Sequence, residues 1–153
     1  MNQLILLSHS LLRWAVVILG LWAVISSLIA MRSGKPYTAG NNKTGLFYMI
    51  SCDIQLLLGL LLYFGNGWFG KLQQFSQYKS DPYARFFAME HLSMMLLAWL
   101  LVHIGRVMVK KAGSDAAKHR RSLLYYGLSF LLIMVSIPWP FRTALGKGWL
   151  PSI

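Results

Sequence analysis

The sequence predicts an all-α integral membrane protein: a bundle of four transmembrane helices whose termini share the outer, periplasmic side. Three observations carry this expectation. Of 153 residues, 56% are hydrophobic and the mean hydropathy is +0.51, which is too apolar for a soluble domain of this length. The apolar residues gather into runs near the ~20-residue length a spanning helix needs. The segments between the runs are short and basic or aromatic, so residues 1–153 form a single domain with little mass outside it.

The first helix is expected over residues 3–31, uncharged from 14 to 30, and is followed by a loop containing Gly, Asn and Lys. The second covers 44–64 and carries one charge, Asp53. A polar and aromatic connection leads to Asp81-Pro82, a helix cap followed by proline at the first helical position. The third helix therefore runs over 82–111. The fourth begins near Asp115 and ends near Ile137, before Pro138 and Pro140. A tail over 138–153 holds Trp139, Phe141 and Trp149, residues suited to the aromatic belt of a membrane interface.

Basic residues set the orientation. Arg32, Lys35 and Lys43 fall in the first loop, and Arg106, Lys110, Lys111, Lys118, Arg120 and Arg121 around the third. The opposite side holds Lys71, Lys79, Arg85, Arg142 and Lys147. The larger set places the first and third loops in the cytoplasm. The net charge of +11 is broken up by apolar runs and forms no stripe, which argues for anionic lipid headgroups rather than nucleic acid as partner. The lone Cys52 permits no internal disulfide, and without a CxxCH motif no haem is attached covalently. His9 and Arg13 interrupt the first apolar run, which also lacks a small-residue cleavage site, so it is read as a retained helix rather than a signal peptide. A faint parallel between the two halves, each a histidine-bearing helix, a basic loop and an aromatic pair (Phe47-Tyr48, Tyr125-Tyr126), is what duplication of a two-helix unit leaves.

Two of the four acidic residues, Asp53 and Glu90, fall inside predicted spans with His9, Arg13, His91 and His103. Ionisable groups there are costly and by default face the bundle interior. At ~1.5 Å of rise per residue, His9 lies about 9 Å and His91 about 13 Å below the same surface. Two neutral imidazoles at similar depth on different helices are the axial pair of a six-coordinate b-type haem iron. Arg13, one turn from His9, is placed to hold a propionate or pair with Glu90. Met94 and Met95 follow His91 by one turn, suited to packing on a macrocycle or replacing an axial ligand. Each histidine alone is equally explained by a hydrogen bond to backbone or to Ser8, Ser10 or Ser93.

Asp53 and His103 form a second layer, about 14 and 12 Å from the opposite face. Contact between them, serving as a proton relay, is one expectation; His103 as ligand of a second haem is the other. The second haem lacks an obvious partner, because His119, in Lys118-His119-Arg120-Arg121, is expected at the headgroups. Asp53 is also placed to meet Arg13 or Gln55. No GxSxG, HExxH, P-loop or GxGxxG motif is present.

His9-Ser10-Leu11-Leu12-Arg13-Trp14, Asp53-Ile54-Gln55, Glu90-His91 through His103-Ile104-Gly105-Arg106 and Ile137-Pro138-Trp139-Pro140 resemble short bacterial four-helix membrane proteins labelled cytochrome b. The likeness spans nearly the whole chain. More loosely, the layout is similar to bacterial cytochrome b561, although a second histidine pair is missing. The resemblance implies electron transfer near the outer face, as an accessory respiratory subunit. The reading at this stage is a haem b protein with one haem (two as the alternative), exchanging electrons with quinone or a respiratory-complex partner. A cofactor-free scaffold subunit of a membrane complex is the alternative, with a proton-linked transporter behind it, and self-association into a homo-oligomer stays open.

Overall fold

The computed structural model describes residues 2–145, 148 and 149. Lys147 and the tail beyond Trp149 lie outside the described residues. Among these the secondary structure is helical throughout, with no strand. Helix α1 spans Asn2–Ser33. It ends where Gly34 takes φ +62° and Lys35 N–H reaches back to the Ala30 carbonyl at 3.1 Å, the left-handed glycine stop that caps many helices.

Helix α2 spans Ala39–Gly65, starting earlier than the expected 44. Thr38 Oγ1 accepts from Asn41 N–H at 3.3 Å while Asn41 Oδ1 accepts from Thr38 N–H at 3.0 Å, and this reciprocal cap fixes the start. The connection after α2 is not merely irregular: it holds two short helices, α3 (Trp68–Gln73) and α4 (Phe75–Tyr78). Asp81 then caps α5 (Pro82–Arg85) by accepting from Tyr83 and Ala84 N–H, with Pro82 in the first turn as expected. A π-helical stretch, Phe86–Glu90, joins α5 to α6 (His91–Lys110) without a break. There Tyr63 of α2 donates to the Ala88 carbonyl at 2.8 Å. Helix α7 (Asp115–Ser136) starts at Ser114, which caps Ala117, and stops where Ile137 turns extended before Pro138.

Three of these runs, Gln3–Ser33, Ala39–Gly65 and Pro82–Lys110, are long and apolar enough to cross a membrane, the pattern of a multi-pass membrane protein. Helix α7 is 22 residues long but less apolar, with Asp115, Lys118, Arg120 and Arg121 in its first turns and serines along its inner face.

The long helices pack in a ring: α1 against α2 and α7, and α6 against α7 and α2. Glycines let aromatic rings approach. A Cβ on Gly105 of α6 would meet Tyr125 Cβ at 2.6 Å, and one on Gly20 of α1 would meet Tyr48 and Phe130 at 2.9 Å. Small residues at crossings are how membrane helices gain close contact when burial offers little driving force. In the centre Ser129 Oγ donates to the Ala98 carbonyl at 3.0 Å and lies 3.1 Å from the Tyr48 hydroxyl, tying α2, α6 and α7 together. Outer faces present large apolar residues such as Ile18, Trp22, Leu57 and Leu131. The tail folds back over α1. Trp139 is buried edge-on to Trp14, whereas Phe141 and Trp149 are exposed.

Candidate functional site

A cavity of about 430 Å³ opens between α1, α2 and α6, closed on one side by the tail. Four of the residues singled out in the sequence line it: His9, Arg13, His91 and Met95. His9 and Arg13 do so together because four residues separate them on α1.

His9 is fixed through its backbone, since Gln55 Nε2 of α2 donates to its carbonyl at 2.9 Å. Its side-chain Nδ1 is buried and makes no hydrogen bond among the described residues. Gly59 of α2 faces the ring, and a Cβ there would come within 3.2 Å of His9 Cε1. A side chain at 59 would therefore press on the imidazole.

His91 is held differently. It is the first residue after the π stretch, an insertion often found at functional sites. Its Nδ1 lies 2.9 Å from the Ser136 carbonyl of α7. A carbonyl can only accept, so Nδ1 carries the proton and Nε2 keeps the lone pair. Orientation of one ring nitrogen by a backbone carbonyl is the usual support for a metal-binding histidine. Phe86 and Phe87 flank the ring at 5.6 and 6.0 Å.

Arg13 does not pair with Glu90 or Asp53. Its Nη2 donates to the Trp149 carbonyl at 2.7 Å, and its buried Nε makes no hydrogen bond among the described residues. Glu90 has a nearer cation, bonding Arg85 Nε at 2.7 Å. Met95 lines the cavity, whereas Met94 Sδ accepts from Ser136 Oγ at 3.1 Å and belongs to the α6–α7 contact.

The inner layer assembles around Asp53. Its Oδ1 accepts from Trp99 Nε1 at 2.7 Å and lies 3.3 Å from His103 Nε2. His103 Nδ1 is 3.0 Å from the Trp99 carbonyl, so both of its nitrogens face oxygen acceptors. Gln55 turns to the His9 carbonyl instead of joining Asp53. Trp99 is the residue the sequence reading missed: its ring lines the cavity while its N–H holds Asp53. Its spacing of four residues before His103 was the available signal. Gly59 and the Ser136 carbonyl left no such mark.

His119 is 1% exposed and buried in the protein.

Among the described residues no three His, Cys, Asp or Glu side chains gather as ligands for a bare metal ion. Two histidines from different helices line one largely apolar cavity; His91 Nδ1 is held by the Ser136 carbonyl, whereas His9 Nδ1 is buried away from the cavity without a partner among the described residues. Arg13 is the cation beside them, where an acidic group on a ligand would be received. No known protein family, curated protein or solved structure matches this chain.

Proposed function

We propose that the chain is a haem b-binding electron-transfer protein of the bacterial inner membrane, in which His9 and His91 would hold the haem iron. The observation that carries this reading is their convergence on one cavity of about 430 Å³, with His91 oriented by the Ser136 carbonyl. In this reading α7 crosses the bilayer as the fourth span, because it packs along both α1 and α6. Both termini then lie on the outer side, and the basic loops before α2 and α7 lie in the cytoplasm.

Bound there, haem supplies one-electron redox chemistry. The chain's own residues hold and insulate it. Gln55 and Gly59 set the position of His9, and Ser136 sets the tautomer of His91. Leu56, Leu60, Leu92 and Ile133 exclude water from the wall, while Arg13 balances negative charge at the tail side. The electron partner is a quinone or a respiratory complex reached through the membrane.

The test is the absorption spectrum of purified protein, oxidised and dithionite-reduced. A Soret band that sharpens on reduction and is lost in His9→Ala and in His91→Ala is the expected result. Absence of any Soret band after expression with adequate haem sinks the proposal. The cofactor-free scaffold reading then stands, with these histidines serving as internal hydrogen-bonding groups.

A further inference from the structure

A second cavity, of about 220 Å³, lies at the opposite, basic end of the bundle, between the end of α1 and the start of α7. Lys35 and Asp115 stand at its lining, and His119 forms its inner wall. Neither ring nitrogen of His119 has a hydrogen-bond partner among the described residues, although the residue is 1% exposed. Tyr37 packs on that ring with centroids 5.0 Å apart, and its buried hydroxyl is also unpartnered.

The same condition continues inward. Ser122 and Tyr126 follow His119 along one face of α7; the Ser122 hydroxyl is buried without a partner among the described residues, and the Tyr126 hydroxyl is buried against Arg106. Beside Tyr126 lies Arg106 of α6, 5% exposed. Its Nη1 donates to the carbonyl and to Oδ1 of Asn42, at 3.0 and 2.8 Å, yet its Nε is buried and unbonded.

Arg106 also has no acidic partner. The chain contains four acidic side chains, and each is engaged elsewhere: Asp53 with Trp99 and His103, Asp81 at the start of α5, Glu90 with Arg85, and Asp115 with Lys118. A buried cation with no counter-charge is strongly unfavourable. Buried hydroxyl and imidazole groups left unbonded add to that. Water could bond the hydroxyls but would not neutralise the guanidinium.

We propose that this end of the bundle binds a phosphate group, carried by an anionic phospholipid or as free inorganic phosphate. His119 and Lys35 line the cavity and meet the phosphate directly, Tyr37 packs on the His119 ring, and Arg106 supplies positive charge from deeper in the bundle. Asp115 also lines the cavity, and Lys118 at 3.4 Å offsets its charge. The inference is independent of any haem at the other end.

The experiment uses the full chain in uncharged detergent and reads its thermal midpoint. Sodium phosphate is compared with sodium chloride at equal ionic strength, and short-chain phosphatidylglycerol with the matching phosphatidylcholine. At a hundredfold excess over Kd, a site of this kind raises the midpoint by roughly 5–10 °C. The rise is expected to fall by at least half in His119→Gln and in Tyr37→Phe. The latter changes one half-buried hydroxyl and keeps the test alive where the former does not fold. A rise with both probes, or with phosphatidylglycerol alone, identifies a lipid headgroup site; a rise with phosphate alone identifies a free oxyanion site. No rise over the controls with either probe, or an undiminished rise in both variants, overturns the proposal and leaves these groups to internal water.

Discussion

The indole nitrogen of Trp99 donates to Asp53 Oδ1 across 2.7 Å, and this bond connects the cavity layer of the bundle to its inner polar layer. Trp99 forms part of the wall around His9 and His91, whereas Asp53 and His103 do not line the cavity. Perturbing Asp53 should therefore be felt as stability before it is felt at the cavity.

Asp53→Ala strands a half-buried indole N–H and removes the acceptor facing His103, a loss of about 1–3 kcal/mol. Asp53→Asn keeps an acceptor oxygen for Trp99 and should lose less. The expected order of thermal stability is wild type, then Asn, then Ala. Absorption spectra taken on the same samples should show the cofactor retained in both. A stable Asp53→Asn protein that has lost its Soret band would place Asp53 in the cofactor site.

Glu90 offers a contrast. Its ion pair with Arg85 is 2.7 Å long, but the two side chains are 34% and 44% exposed, and exposed pairs contribute about 0–1 kcal/mol. Glu90→Gln is expected to shift stability by less than about 1 kcal/mol and to leave any haem spectrum unchanged. A large loss of cofactor on that substitution would mean that Glu90 acts on the cavity through Arg13, despite their separate partners.

How much of this was legible in the sequence depended on whether the cause was compositional or geometric. The long helices follow from apolar runs and from Asp81-Pro82, and their ends fall close to expectation wherever a charge or proline marks them. The early start of α2 was missed because its cap pairs Thr38 with Asn41, a weaker signature than one ending in Glu or Gln. The π stretch at Phe86–Glu90, immediately before His91, has no compositional mark at all. Arg13 and Glu90 were matched by charge and depth alone, and closer neighbours, the Trp149 carbonyl and Arg85, took them instead. The burial of His119 was not legible because Lys118, Arg120 and Arg121 surround it in sequence. The spacing of His119, Ser122, Tyr126 and Ser129 already describes one inward face of α7, and periodicity was the better guide there than charge.

Two glycines should respond oppositely to the same substitution. At Gly105 an added Cβ would lie 2.6 Å from Tyr125 Cβ, so Gly105→Ala must separate α6 from α7. Overpacking of this kind costs about 1–3 kcal/mol. At Gly127 of α7 nothing lies within 4 Å of an added Cβ, and alanine there should gain about 0.5–1 kcal/mol from its better helix propensity. Thermal unfolding of the two variants should bracket the wild type. Destabilisation by Gly127→Ala would show that an unseen partner packs on that face of α7.

Gly59 separates a cofactor role for the cavity from a structural one. It faces His9, with an added Cβ only 3.2 Å from Cε1, and it lines the space that His9 shares with His91. Alanine needs a shift of a few tenths of an ångström and should leave a haem complex intact, with a small change in its spectrum or potential. Leucine reaches into the void and displaces the imidazole. If the cavity exists to hold haem, Gly59→Leu should abolish the Soret band while the haem-free protein stays folded. Its thermal midpoint should then match or exceed that of haem-free wild type, because apolar volume fills an apolar space. If His9 serves only as packing, Gly59→Leu should lower the midpoint of the haem-free protein by overpacking a finished core. Measuring both quantities on haem-depleted and haem-supplied preparations distinguishes the two. A Gly59→Leu protein with a full Soret band would remove this cavity as the haem site.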